Sequence, residues 1–396
     1  MEHPRETVAD RILGHLRARR ADFVSYVEEL LRAESPSTEP RAFAAIHRAL
    51  QRGLDSAGCR VTHVPGRRSA GMLLALPRER KRGRAFQLVA GHCDTVWPAG
   101  TLREMPVQMA DGKLRGPGAF DMKGGLAQVV FALHALDVLD LEPEVTPAVL
   151  VTSDEEIGSI DSQSLIERLA RRADRALVLE PALGLVGKLK TARKGTGHFD
   201  VVVRGRASHA GIAPEEGASA ILELSHVIQK LFALNDPNRG VTVNVGTVSG
   251  GLRSNVVAPE SRAAVDVRVL TWDDARSVER AVAEIIPVTP GVTIEIDGGF
   301  DRSPMEATPR NQVLWRLARN LGADLGVALE EGTSGGASDG NITSLYTATL
   351  DGLGPVGDGA HAKREYIDID RTLERCALLA LLLLAPPVRD AHSPSV

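Results

Sequence analysis

The 396-residue chain has little cysteine, no surplus of charge of one sign and no long apolar run, and each shortage removes a class of answer. Its three cysteines, Cys59, Cys93 and Cys376, are an odd and scattered set, which argues against a disulfide framework and fits a reducing compartment. A formal net charge of −4 offers no global attraction to nucleic acid or to a membrane surface, so neither is expected as a partner. The N-terminal stretch MEHPRETVADRILGHLRARR is charged throughout and lacks the apolar core of a signal peptide. CALLALLLLAPP, near the C-terminus, is too short to span a bilayer and reads as a buried last helix. These absences predict a cytoplasmic protein. Neither an internal repeat nor a low-complexity segment interrupts it. What is present is ordinary: 43 % hydrophobic and 25 % charged residues, in a chain long enough for two domains and a sizeable core.

Apolar positions at helical spacing, Ile12, Leu16, Phe23, Val27, Leu30 and Leu31, predict one helix over residues 7–33. A second covers about 41–57 and is closed by Gly58. Strands are predicted at about 59–64, 71–76 and 85–91, with the basic loop RERKRGR as a solvated turn between the last two. ADGK (110–113) reads as a hairpin, followed by a helix over about 123–138. AVLVTSDEE and RALVLEP are continuous apolar strands that stop at acids. Such strands, alternating with helices, predict an α/β domain with a mixed, mostly parallel sheet and helices on both faces. After about residue 193 the pattern changes. GHFDVVVRG, GASAILELSHVIQKLFAL, VTVNVGTVSGG, RAAVDVRVL, DDARSVERAVAEII and VTIEIDGG read strand, helix, strand, strand, helix, strand. This βαββαβ order is that of a ferredoxin-like domain. Helix (about 309–321), strand and helix follow, so the predicted organisation is a large discontinuous domain, 1–192 and 304–396, with a smaller one inserted at 193–303.

GHCDTVWP (91–98) sets His92 and Asp94 where an apolar strand ends, the position at which open α/β sheets carry ligand chemistry. One His-x-Asp does not separate a structural histidine from a metal ligand. Four further segments supply partners: GPGAFDMKGG (116–125), SDEEIGS (153–159), LVLEP (177–181) and GDGAHAKREY (357–366). Each has a plain reading when taken singly: Asp121 as a helix cap, Glu155-Glu156 as the acidic start of a helix, Glu180 as a turn residue, His361 as a loop histidine. Together they put Asp, Glu and His at strand ends or in Gly-rich loops, and the repulsion between adjacent acids is removed by a bound cation.

The motifs H-x-D-T-V, G-x-G-x-x-D-x-K-G-G, D-E-E-x-G, L-E-P, S-H-A-G and a late G-x-H, in that order, resemble those of the M20 metallopeptidases, most closely their glutamate carboxypeptidase (carboxypeptidase G) branch. The resemblance runs from about residue 85 to the last helix; the first 60 residues match only as generic helices. It implies two zinc ions per chain bridged by Asp121, with His92 and Glu180 completing one ligand set and Glu156 and His361 the other. These N/O donors also suit Co²⁺ or Mn²⁺. It further implies that Asp94 hydrogen-bonds His92 and fixes its tautomer, that Asp121-Met122 is a cis peptide, and that Glu155 is the general base. His209 of SHAG would donate to the oxyanion. Pro117 departs from the residue many relatives carry there, without touching a ligand position.

Substrate expectations come from a basic segment and a strand. Lys188, Lys190, Arg193 and Lys194 precede the inserted domain, and their plain reading is a solvated hinge. Arg268 alternates with apolar residues on the strand face of Asp266, where an arginine can pair bidentately with a carboxylate. The resemblance places Arg268 and Asn255 on the α-carboxylate of a substrate; the loop GTSGGASDGN, through Gly336, would wall the same pocket, and Lys188 of the basic segment is a further substrate-binding candidate. The expected activity is release of an amino acid, glutamate among the options, from an N-acyl conjugate or peptide. An acetylornithine- or succinyl-diaminopimelate-type deacylase, or a dipeptidase or aminopeptidase, is the alternative. The resemblance also implies a homodimer through the inserted lid domain.

Overall fold

The chain opens with two helices where the spacing predicted one. The computed structural model describes residues 6–79 and 83–388, so residues 80–82 of the predicted basic turn and the first five of the N-terminal stretch lie outside the described residues. Thr7 caps the helix Val8–Ala18 through a reciprocal bond with Asp10, and a second helix runs Arg20–Arg32. Between them Arg19 leaves helical geometry (φ −97°, ψ 16°), its N–H shared among the carbonyls of the closing turn. The predicted apolar positions still all face inward: Ile12, Leu16, Phe23, Val27, Leu30 and Leu31 are buried. Periodicity survives such a break because the two helices bury the same side.

The backbone divides into two compact units, Met1–Thr191 with Ala307–Thr333 and Ser338–Val396, and Ala192–Glu306 with Ser334–Ala337. The first is built on a six-stranded sheet in the order Cys59–Val64, Met72–Pro77, Thr146–Thr152, Phe86–His92, Ala173–Val178, Ala348–Leu350. The first two pairings are antiparallel and the next three parallel. Apolar runs without alternation, such as Leu88-Val89-Ala90 and Val149-Leu150-Val151, are buried, as strands covered on both faces must be. The helix Gly124–Val138 packs against the last helix, Ile369–Leu384, whose leucines are almost all buried. Each such leucine contributes roughly 1.5–3 kcal/mol. The carbonyls at the end of that last helix are satisfied by a buried cation: Arg175 Nη2 donates to Leu382 and Ala385, and Nη1 to Pro386. Among the described residues no helix is long and apolar enough to cross a membrane, and the three cysteines are free and buried.

The second unit is a four-stranded antiparallel sheet in the order Thr242–Gly250, Glu260–Val269, Gly195–Arg204, Thr293–Arg302. Helices Ala220–Phe232 and Trp272–Ala283, capped by the Ser219 and Thr271 hydroxyls, pack against it around Val201, Val203, Val227, Val265, Val267 and Val278. This is the predicted βαββαβ arrangement.

Candidate metal centre

Three parallel strands end at one edge of the first unit's sheet, and that edge assembles the site. His92, the last residue of its strand, is in register with Thr152, and Ala90 two residues earlier with Val178. Residues 92–94, 153–156 and 179–180 therefore leave the sheet together. His92 is buried, with Nε2 3.2 Å from Asp121 Oδ1 and 3.4 Å from Glu180 Oε1. His361 Nε2 lies 3.2 Å from Glu156 Oε2 and 3.5 Å from Asp121 Oδ2. Asp121 thus turns one oxygen to each histidine. The described residues contain two such groups, His92–Asp121–Glu180 and Asp121–Glu156–His361, the ligand atoms of each all within 4.8 Å of one another.

Titration behaviour reflects the crowding. Burial works against a charge on His92, but hydrogen bonds to Asp121, Asp94 and Glu180 outweigh it and hold the ring well above its ordinary value. The bonds from Asp121 and Glu156 lift His361 to about 10. Burial disfavours the Asp121 carboxylate, yet the two histidines keep it far below the usual range, while burial raises Glu156. Two protons thus do the work of positive charge among three acids. Glu156 Oε1 is buried without a hydrogen-bond partner, an orphan acceptor that a cation would satisfy. Two imidazoles and three carboxylates are donors that fit zinc, cobalt or manganese.

The loops carrying these side chains are braced from behind. Asp121-Met122 is cis, as the resemblance implied. Gly118 has φ 77°, and a Cβ there would fall 2.7 Å from Thr95 Cγ2. His361 itself holds a left-handed backbone (φ 58°), uncommon outside glycine and typical of positions the surroundings over-determine. Asp94 does more than was predicted for it. His92 Nδ1 lies 3.1 Å from the Asp94 carbonyl oxygen and 3.4 Å from its carboxylate. The carboxylate accepts from the Glu155 and Glu156 backbone N–H groups (3.3 and 3.1 Å) and from Ser37 Oγ (2.8 Å), so it pins the turn that presents both glutamates. Glu155 is half-buried on that turn.

Two buried charges went unassigned in the sequence. Lys123 Nζ donates to the Ala33 carbonyl at 2.9 Å, and burial lowers its amine to about 8. Glu365 accepts from the Gly118, Phe120 and Asp121 N–H groups, and burial raises it to about 7 against the pull of those donors. Its position four residues after His361 was the only signal available.

The remaining predicted residues are placed as follows. Lys188, in the first unit, pairs with Glu330 Oε2 at 2.7 Å. Lys190 and Arg193 are buried, which corrects the solvated-hinge reading; Arg193 Nη1 donates to the Gly336 and Ala337 carbonyls. In the second unit, His209 and Asn255 are exposed on turns, the Asn255 carbonyl accepting from Ala210 N–H. The Gly211 N–H donates to His209 Nδ1, which leaves Nε2 as the proton-bearing nitrogen. Arg268 does form a bidentate pair, with Asp266, through Nε and Nη2 at 2.9 Å each.

Residues 88–385 match the model of Peptidase family M20/M25/M40. The chain is 29 % identical over 374 residues to carboxypeptidase G2 of Pseudomonas sp. (strain RS-16), covering 91 % of this chain and 88 % of that one. It is 30 % identical over 315 residues to succinyl-diaminopimelate desuccinylase of Azoarcus sp. (strain BH72), covering 73 % and 80 %. Aminopeptidase PepT of Bacillus cereus shares the fold, with a TM-score of 0.77 at 21 % identity over 93 % of this chain and 98 % of that one.

Proposed function

Because the chain belongs to peptidase family M20/M25/M40 and is a hydrolase of peptide or other C–N bonds, we propose that it is a two-zinc carboxypeptidase-like amidohydrolase that frees an amino acid, glutamate the first to test, from an N-acyl conjugate. The observation that carries this reading is the shared Asp121, with one carboxylate oxygen at each of two histidines and a further acid beside each pair. His92, Asp121 and Glu180 would hold one zinc, and Asp121, Glu156 and His361 the other. Bound zinc supplies Lewis acidity toward the scissile carbonyl and toward a water molecule.

The chain's own groups do the rest. Glu155, fixed by the Asp94–N–H bond, takes a proton from water on its carboxylate and passes it to the leaving amine. His209 donates from Nε2 to the developing oxyanion. Arg268 holds the substrate α-carboxylate through Nη1, the donor that Asp266 leaves, and Asn255, Lys188 and Gly336 are the further substrate-binding candidates. The protein works as a homodimer. In support, Thr242–Gly250 is an edge strand, and Ile221, Leu222, Phe232 and Val248 of the same unit are exposed. A desuccinylase-type deacylase is the second reading, favoured by the 30 % identical relative.

The experiment is hydrolysis by the zinc-loaded protein of paired N-acyl amino acids, varying the acyl side and the amine side in turn. Strong dependence on a glutamate amine side supports the first reading. Dependence on a succinyl acyl side with a diamino acid supports the second. No turnover of any N-acyl amino acid contradicts both.

A further inference from the structure

Glu365 is 1 % exposed, and four N–H donors from two separate loops converge on its carboxylate. Oε2 accepts from Gly118 N (2.9 Å) and Trp97 Nε1 (3.1 Å). Oε1 accepts from Phe120 N (2.9 Å) and Asp121 N (3.0 Å). Three of these donors belong to the turn that carries Asp121. The fourth belongs to the loop that follows His92 and Asp94. Glu365 itself closes the loop that carries His361: its N–H donates to the Ala362 carbonyl and that of Ala362 to Gly359. One side chain therefore ties together three loops, each of which contributes to the centre. None of the four bonds reaches a ligand side chain, so nothing in them depends on what occupies the centre.

We propose that Glu365 is the positioning residue of the centre, fixing the turn of Asp121 against the loop of His361 so that the Asp121 carboxylate can serve both metal positions at once. The inference rests on the two-metal reading. The position served by Asp121, Glu156 and His361 depends on it most, since two of its three ligands stand on segments that Glu365 joins. The other retains His92, the last residue of its strand, and Glu180, two residues beyond the end of Ala173–Val178. A residue holding ligands in this way typically accounts for about 10- to 100-fold in metal affinity. An amide in place of the carboxylate keeps the volume but turns an NH₂ group toward N–H donors, so the isosteric change is a direct test.

Zinc affinity of the wild type, Glu365→Gln and Glu365→Asp is measured by competition with a chromophoric chelator, and the spectrum of the cobalt-substituted proteins is recorded. Circular dichroism and melting of the metal-free proteins identify any variant that has failed to fold. Expected is a wild type holding two metals per chain and a folded Glu365→Gln whose weaker site is loosened at least tenfold, with an altered cobalt spectrum. Glu365→Asp, which keeps the charge but shortens the reach, should fall between them. A folded Glu365→Gln with two sites of wild-type affinity and an unchanged cobalt spectrum overturns the positioning role while leaving the two-metal reading intact. A wild type that binds no metal overturns both.

Discussion

The two units carry their candidate chemistry in opposite ways. In the first, every proposed ligand lies within 3.5 Å of a partner, and the loops beneath are pinned by buried carboxylates: Asp94 under Glu155 and Glu156, Glu365 under Asp121. In the second, His209 and Asn255 stand exposed on turns, and Arg268 spends two of its donors on Asp266. The first unit is organised to hold charge at fixed points, as a centre that polarises a bond requires. The second presents single polar groups that gain a role only when a substrate arrives. Changes in the first unit should therefore abolish chemistry; in the second, loss of Arg268 or Asn255 should alter what is bound and how well, and loss of the His209 donor alone should reach the chemical step.

The largest effect expected is on the first unit. His92→Ala or Asp121→Ala should lose both metal and turnover. Glu155→Gln should keep both metals and lose about 10²- to 10⁴-fold in turnover, because it removes the base and leaves the ligands. Metal analysis beside steady-state kinetics checks this, and substantial residual activity in Glu155→Gln at neutral pH would show the base to be misassigned.

Next in size is a test of whether the second unit acts on its own chain or on a partner. His209→Ala and Glu155→Gln chains should each be nearly inactive alone. If His209 serves the partner's centre, a mixed dimer has one site lacking both residues and one intact, and an equal mixture should recover about a quarter of wild-type activity. Recovery of nothing, or a monomer in solution, would remove the composite-site idea.

A smaller and selective change is expected at Arg268. Arg268→Ala should raise KM about 10- to 100-fold for substrates with a free α-carboxylate, the cost of one charged hydrogen-bonding contact, and do much less for their amides. Equal losses on both substrate types would return Arg268 to a structural partner of Asp266.

The smallest effect is a pH dependence of stability confined to the first unit. His361 titrates at about 10 in the folded metal-free chain against an ordinary 6.5, so its stabilising contribution is complete below about 6.5 and is lost as pH rises toward 10. Metal must displace the protons on His92 and His361, so the metal-bound form gains as they leave. The melting temperatures of zinc-loaded and metal-free protein should therefore diverge between pH 6.5 and 9. A constant gap would contradict the protonation described here.

The same contrast explains what the sequence disclosed. Parallel-strand ends followed by acids, and glycines around Asp121, are local patterns that mark His92, Asp121, Glu155, Glu156 and Glu180 as candidates, but each has a plain reading alone, and only the family order of the motifs joins them, with His361, into one centre. The alternating strands and capped helices of the second unit were equally plain. Glu365 was not, because its four donors come from loops about 240 to 270 residues away in sequence, and a lone acid in a basic stretch shows none of that. Nor was the burial of Arg193, whose partners at Gly336 and Ala337 are 143 and 144 residues distant. The break at Arg19 was hidden for the opposite reason: helical spacing continues across it undisturbed.

The central claim is that Asp121 is shared between two metals, and anomalous scattering at the zinc edge from crystals of the zinc-loaded protein addresses it most directly. Two peaks per chain are expected, flanking the Asp121 carboxylate, one beside His92 and Glu180 and the other beside Glu156 and His361. A single peak, or a pair of peaks without Asp121 between them, would contradict it.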